Sequence, residues 1–120
     1  MTDEKYELPE VRYASVEDIT RKRVSEGEDY ELPGVGTLRI RGLSRAEFLA
    51  AQERFPDNTT KQERYVLSRA VIQPKITEEI AGKWQAASGI NEINELANRI
   101  NAISGIGKGA DKSGVDQVRD

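Results

Sequence analysis

Two carboxylate pairs, Glu78/Glu79 and Glu92/Glu95, are the residues of this chain best suited by type and spacing to acid–base chemistry. Such work needs two carboxylates whose pKa values are pushed apart by burial. Each pair falls in the first turn of a predicted helix, where acidic side chains simply favour the helix dipole. The chain contains no cysteine and no histidine. Disulfides, thiolate nucleophiles, imidazole bases, serine–histidine triads and the usual zinc ligand sets are thereby removed. No run resembles an Asp-rich calcium loop. Gly105-Ile106-Gly107-Lys108-Gly109 has the residue types of a phosphate cradle. It follows a predicted helix and leads into a polar stretch, whereas a phosphate loop follows a strand and opens a helix. The sequence therefore predicts no catalytic residue, no cofactor and no metal site: a protein that binds rather than one that catalyses.

The charge balance narrows what it binds. The 120 residues carry 18 basic and 21 acidic side chains, a net charge of -3. The basic residues Arg39, Arg41, Arg45, Arg54, Lys61, Arg64 and Arg69 are interleaved with acids, and no predicted helix has a consistently basic face. This argues against nucleic acid as the partner. The basic triplet Arg21, Lys22, Arg23 reads as solvated surface. No apolar run approaches the ~20 residues that span a bilayer, so no membrane partner is expected either. The N-terminal stretch is acidic and polar, unlike a signal peptide. A soluble intracellular protein is the expectation.

Local patterns give an α+β layout, mainly helical: an N-terminal β-hairpin followed by about four short helices. Residues 14–104 form the predicted domain, with residues 1–13 and the Gly-rich residues 105–120 read as flexible ends. Ser15 and Asp18 suit the first turn of a short helix. Tyr30 and Leu32, then Leu38 and Ile40, alternate with charged or polar residues, the period of half-buried strands. Pro33, Gly34 and Gly36 supply the turn between them. Ser44 and Glu47 form a capping box that opens a helix carrying Phe48, Ala51 and Phe55 and stopping before Pro56. Asn58, Thr59 or Thr60 caps the next, read as residues 61–72, with Val66, Leu67, Ala70 and Val71 as its apolar stripe, widened by Tyr65 and Ile72. Thr77 caps a helix over residues 78–88, with Gly89 as its terminator. Asn91 caps the last helix, residues 92–104, which Gly105 stops.

Two features of this layout are candidate binding surface. Trp84 is the sole tryptophan; with Ile76, Ile80 and Ala87 on its face it is either core or a partner contact. The last helix carries the cleanest stripe, Ile93, Leu96, Ala97, Ile100 and Ile103, with Ile106 beyond. That stripe completes the core of a monomer or meets a partner, as amphipathic helices at chain ends do. Trp84, Ile93, Leu96, Ile100 and Ile103 are the predicted partner-binding residues. The exposed edge of the hairpin offers pairing with another copy, hence a homo-oligomer. The alternative reading is a small helical DNA-binding or regulatory domain.

The order of these motifs over residues 15–106 resembles the small tail assembly chaperones of long-tailed phages. "SVEDI" before a charged linker is similar to that family's short N-terminal helix. "ELPGVGTLRIRGLSRAE" resembles its strand–turn–strand–helix start, and "LSRAVIQPKITEEIAGKW…INELANRINAISGI" resembles its apolar helix, proline-containing connector, acidic helix start and closing helix. The family often has an aromatic before the second turn glycine, where this chain has Val35. The resemblance implies a short-form chaperone that binds the tape measure protein in the host cell cytoplasm until tail tube subunits assemble, and that is absent from the mature virion. It also implies a second form, lengthened by a ribosomal frameshift, and the Gly107–Lys108 step suits a slippery codon run.

Overall fold

Hairpin and helices alike are positioned by short local signals. The computed structural model describes residues 10–105; the glycine-rich run beyond Gly105, Ile106 and most of the predicted flexible ends lie outside them. Helix α1, Val16–Thr20, has a full capping box: the Asp18 N–H donates to Ser15 Oγ at 3.0 Å and the Ser15 N–H to Asp18 Oδ2 at 2.9 Å. The guanidinium of Arg23 folds back onto the carbonyls of Asp18 and Ile19, so one member of the basic triplet closes this helix.

Strands β1, Glu28–Leu32, and β2, Gly36–Ile40, pair antiparallel with Tyr30 opposite Leu38 and Leu32 opposite Gly36. Gly34 takes φ +77°, open to glycine at little cost, and the Val35 N–H donates to the Leu32 carbonyl at 3.0 Å. Leu32, Leu38 and Ile40 face inward and are buried. A third strand, β3, Val71–Gln73, adds to the other side of β2. Here the structure departs from the sequence expectation, which carried the preceding helix through Ile72. To continue, that helix would need the N–H of residue 74 for the Ala70 carbonyl, and residue 74 is proline. The Arg41 N–H from the end of β2 takes that carbonyl instead, at 2.9 Å, and the β-branched Val71 and Ile72 suit a strand.

Helix α2, Arg45–Arg54, opens on the Ser44–Glu47 capping box and buries Ala51, with Phe48 packed at the margin of the core. Asn58 is the cap of α3, Thr59–Ala70, accepting the Lys61 N–H at 3.0 Å. Thr77 caps α4, Glu78–Ala87. The last helix, α5, is Ile90–Ile103 and starts two residues before its predicted first residue. Gly89 is its N-cap, with φ -75°, not the terminator of α4. The extended backbone of Ser88 ends α4, and Asn91 lies inside α5 rather than capping it. Glycine is tolerated at an N-cap almost as well as serine, so no side-chain cap is required there. The expected stop holds at the other end, where Gly105 has φ +86°.

The core sits between the inner face of the sheet and α3, α4 and α5. Ile40, Leu43, Leu67, Leu96 and Ile100 are its largest fully buried side chains. Arg99 on α5 forks onto Glu28 of β1, with 2.6 and 2.8 Å bonds, clasping hairpin to helix. A second fork lies just past the same end of the sheet, where Ile40 pairs with Glu28. Arg41 Nη1 and Nη2 donate to the two Glu47 carboxylate oxygens at 3.1 and 2.7 Å, and Glu47 also accepts the Ser44 N–H at 2.9 Å. The Arg41 guanidinium, followed by the backbone bond at Ser44, holds the Glu47 carboxyl down at about 2. A carboxyl lowered from 4.5 binds its proton more weakly folded than unfolded, so its stabilisation is complete above that pH and is lost as pH falls towards 2. Glu47→Gln is expected to cost about 1–2 kcal/mol near neutral pH after allowance for screening. In urea melts its deficit against wild type should close steadily below pH ~4.5; a deficit that persists at the lowest pH would place the effect in packing instead.

A candidate partner-binding groove

Where the hairpin turn approaches the end of α4 and the start of α5, the sheet is not fully covered. Leu32, Leu38 and Val35 from the hairpin face Ile76, Trp84 and Ala87 across an open apolar groove of about 390 Å³, with Ser88 and Glu92 at its rim. Each element supplies a side chain for a local reason. Leu32 and Leu38 belong to the inward set of their strands, Ile76 precedes the Thr77 cap, and Trp84 and Ala87 lie three apart on one face of α4. The indole is fixed by its own N–H, which donates to Glu92 Oε2 at 2.7 Å. Ser88 Oγ donates to the Trp84 carbonyl at 2.8 Å and anchors the same turn. Tyr30, next along β1, has its phenol pKa raised by burial and then by the charges of Glu95 and Glu92. One wall of the region is therefore acidic and its floor apolar.

The predicted binding residues divide here. Trp84 lines the groove, half-buried. Ile93, Leu96 and Ile100 do not: they are buried in the core, and Ile103 packs against it. The stripe of α5 is the surface on which the sheet rests, so it is not available to a partner in this fold. The reason is the hairpin itself, whose inner face needs a cover that α5 supplies. Leu32, Val35, Leu38, Ile76 and Ala87 were missed as site residues. The one sequence signal was Val35, an apolar residue in a Pro–Gly turn that would ordinarily be polar; it is 68% exposed.

The carboxylate pairs have structural employment. Glu78 lies 3.3 Å from Arg54 and Glu92 holds Trp84; Glu95 is one turn further into α5, not in its first turn as expected. Among the described residues no cluster of three or more potential ligands could hold a metal ion, and no helix is long and apolar enough to cross a membrane. A second depression, about 710 Å³, lies beside Arg21, Lys22, Arg23, Arg41 and Arg45. Its cations are largely engaged: Arg21 by Asp18, Arg41 by Glu47 and Arg23 by helix carbonyls. Arg39 likewise meets Asp29 at 3.0 Å.

No family model, curated protein or solved structure matches the chain. Its function has to be argued from the groove and from the order of its motifs.

Proposed function

We propose that the protein is a non-catalytic phage tail assembly chaperone that binds the tape measure protein, keeps it soluble in the host cell cytoplasm and helps recruit tail tube subunits. The observation that carries this reading is the apolar groove around Trp84, set in a charged body. A tape measure chain presents long apolar helical stripes that aggregate if bare. A groove that receives side chains from one helix face, repeated over many copies along one polymer, masks such stripes with individually weak contacts. The motif order over residues 15–106 supports the same reading. The DNA-binding alternative draws less support, because Arg39, Arg41 and Arg54 each lie in an ion pair.

The test is co-expression with the tape measure protein encoded beside it, followed by pull-down from the soluble fraction. Wild type should carry the partner into solution. Val35→Asp, which sets a charge at the mouth of the groove, should cut capture about tenfold or more, whereas Leu49→Asp on α2 should leave it unchanged. A partner that stays insoluble with both the short and the frameshifted long form present would sink the chaperone reading. Equal capture by Val35→Asp and wild type would remove the groove from it.

A further inference from the structure

The arm that precedes β1 carries large apolar side chains that no other described residue covers. Val11 is 68% exposed, Tyr13 85%, Val16 72% and Ile19 60%. Single exposed apolar residues need no explanation; four within nine positions form a patch. Val16 and Ile19 stand one turn apart on α1 and share a face. As the described residues are arranged, they do not cover the groove of their own molecule. Thr20, at the end of α1, lies beside Arg41 and Ser104, at the far end of α5, whereas Ser88 and Glu92 mark the groove at its start. The intervening 14 residues of α5 span about 21 Å.

The sequence of the arm matches the groove in a second way. Tyr6-Glu7-Leu8-Pro9-Glu10-Val11 repeats Tyr30-Glu31-Leu32-Pro33-Gly34-Val35 with a single difference. In the second occurrence Leu32 and Val35 are the residues that line the groove. The first occurrence thus repeats an apolar pair that belongs to the groove wall. Its one difference puts Glu10 where the hairpin needs Gly34 at φ +77°, so it lacks the residue for a turn of its own.

We propose that the groove receives the N-terminal arm of a second copy of this chain, residues 6–19, so that copies associate by arm exchange. The inference stands whether or not the tape measure protein is the partner. A partner helix entering the groove displaces the arm.

Sedimentation equilibrium of the purified full chain tests it without any partner present. Mass should rise from monomer as concentration goes from about 1 µM to about 1 mM, and emission of Trp84, the only tryptophan, should shift to the blue over the same range as the groove is covered. The double variant Val11→Asp/Ile19→Asp, altered in the arm, and Val35→Asp, altered in the groove, should each associate at least tenfold more weakly. All three positions are well exposed, and unchanged thermal unfolding verifies that both variants fold. Mixed together, the two variants should associate more strongly than either alone, because the intact arm of one meets the intact groove of the other. A monomer throughout the range, variants that associate like wild type, or a mixture no stronger than its parts would each overturn arm exchange between copies. So would a monomer whose Trp84 emission responds to the arm substitutions, which would assign the groove to the arm of its own chain.

Discussion

Gly42→Ala is expected to cost about 3 kcal/mol and to lower Tm by roughly 10–25 °C, the largest effect of an alanine substitution among the described glycines. The cause is close approach, not backbone conformation. An added Cβ would stand 2.6 Å from the carbonyl oxygen of Ile103, 3.1 Å from its carbonyl carbon and 3.2 Å from the nitrogen of Ser25. All three are backbone atoms and none can swing aside. They are also tied to one another: the Gly42 N–H donates to the Ser25 carbonyl at 2.8 Å, the Ser25 N–H to the Ile103 carbonyl at 3.4 Å, and the Leu43 N–H to Ser104 Oγ at 2.8 Å. Relieving the clash therefore breaks bonds that join the arm, the end of β2 and the end of α5. Gly34 and Gly89 give the contrast. Gly34→Ala has open space but φ +77° and should lose about 1 kcal/mol, and Gly89→Ala has both open space and an ordinary φ and should lose about 0.5–1 kcal/mol, only because alanine is a poorer N-cap than glycine. Urea melts of the three variants decide the matter, and equal midpoints for Gly42→Ala and wild type would remove the tight crossing from the account.

What was legible in the sequence follows the range of the interactions involved. Ser15, Ser44 and Thr77 were read correctly because a cap is made within three residues. The hairpin was read because alternation and a Pro–Gly turn are equally local. β3 was not, since Val71 and Ile72 continue a helical period and only the missing N–H of Pro74, together with the Arg41 N–H arriving from far up the chain, turns them into a strand. The groove was legible least. Its walls take one or two residues from each of β1, β2, the connector before α4, α4 itself and α5, and no periodicity marks residues that meet only after folding. Trp84 was named for its rarity; Val35 was missed, although an apolar residue where a turn is ordinarily polar was a signal for it.

The stripe of α5 shows why burial has to be known before a binding residue is chosen. Ile100 was a candidate partner contact, yet it is fully buried between the sheet and α5's neighbours. Ile100→Ala is expected to cost about 2–5 kcal/mol, the lost transfer energy of its methyl and methylene groups plus the cavity left behind. A domain of this size holds about 5–15 kcal/mol in all, so a charged substitution at Ile100 would report unfolding, not binding. Val35→Asp should do the reverse, leaving the unfolding midpoint within about 0.5 kcal/mol of wild type while removing capture. The informative measurement is therefore paired: urea midpoint and partner captured per folded molecule, for both variants. If Ile100→Ala unfolds early but its folded fraction captures partner as wild type does, the helix is core and the groove is the surface. If capture by folded Ile100→Ala falls as far as that by Val35→Asp, the partner reaches α5 itself, which requires the hairpin to lift from it and would make the Arg99–Glu28 clasp the contact that must open.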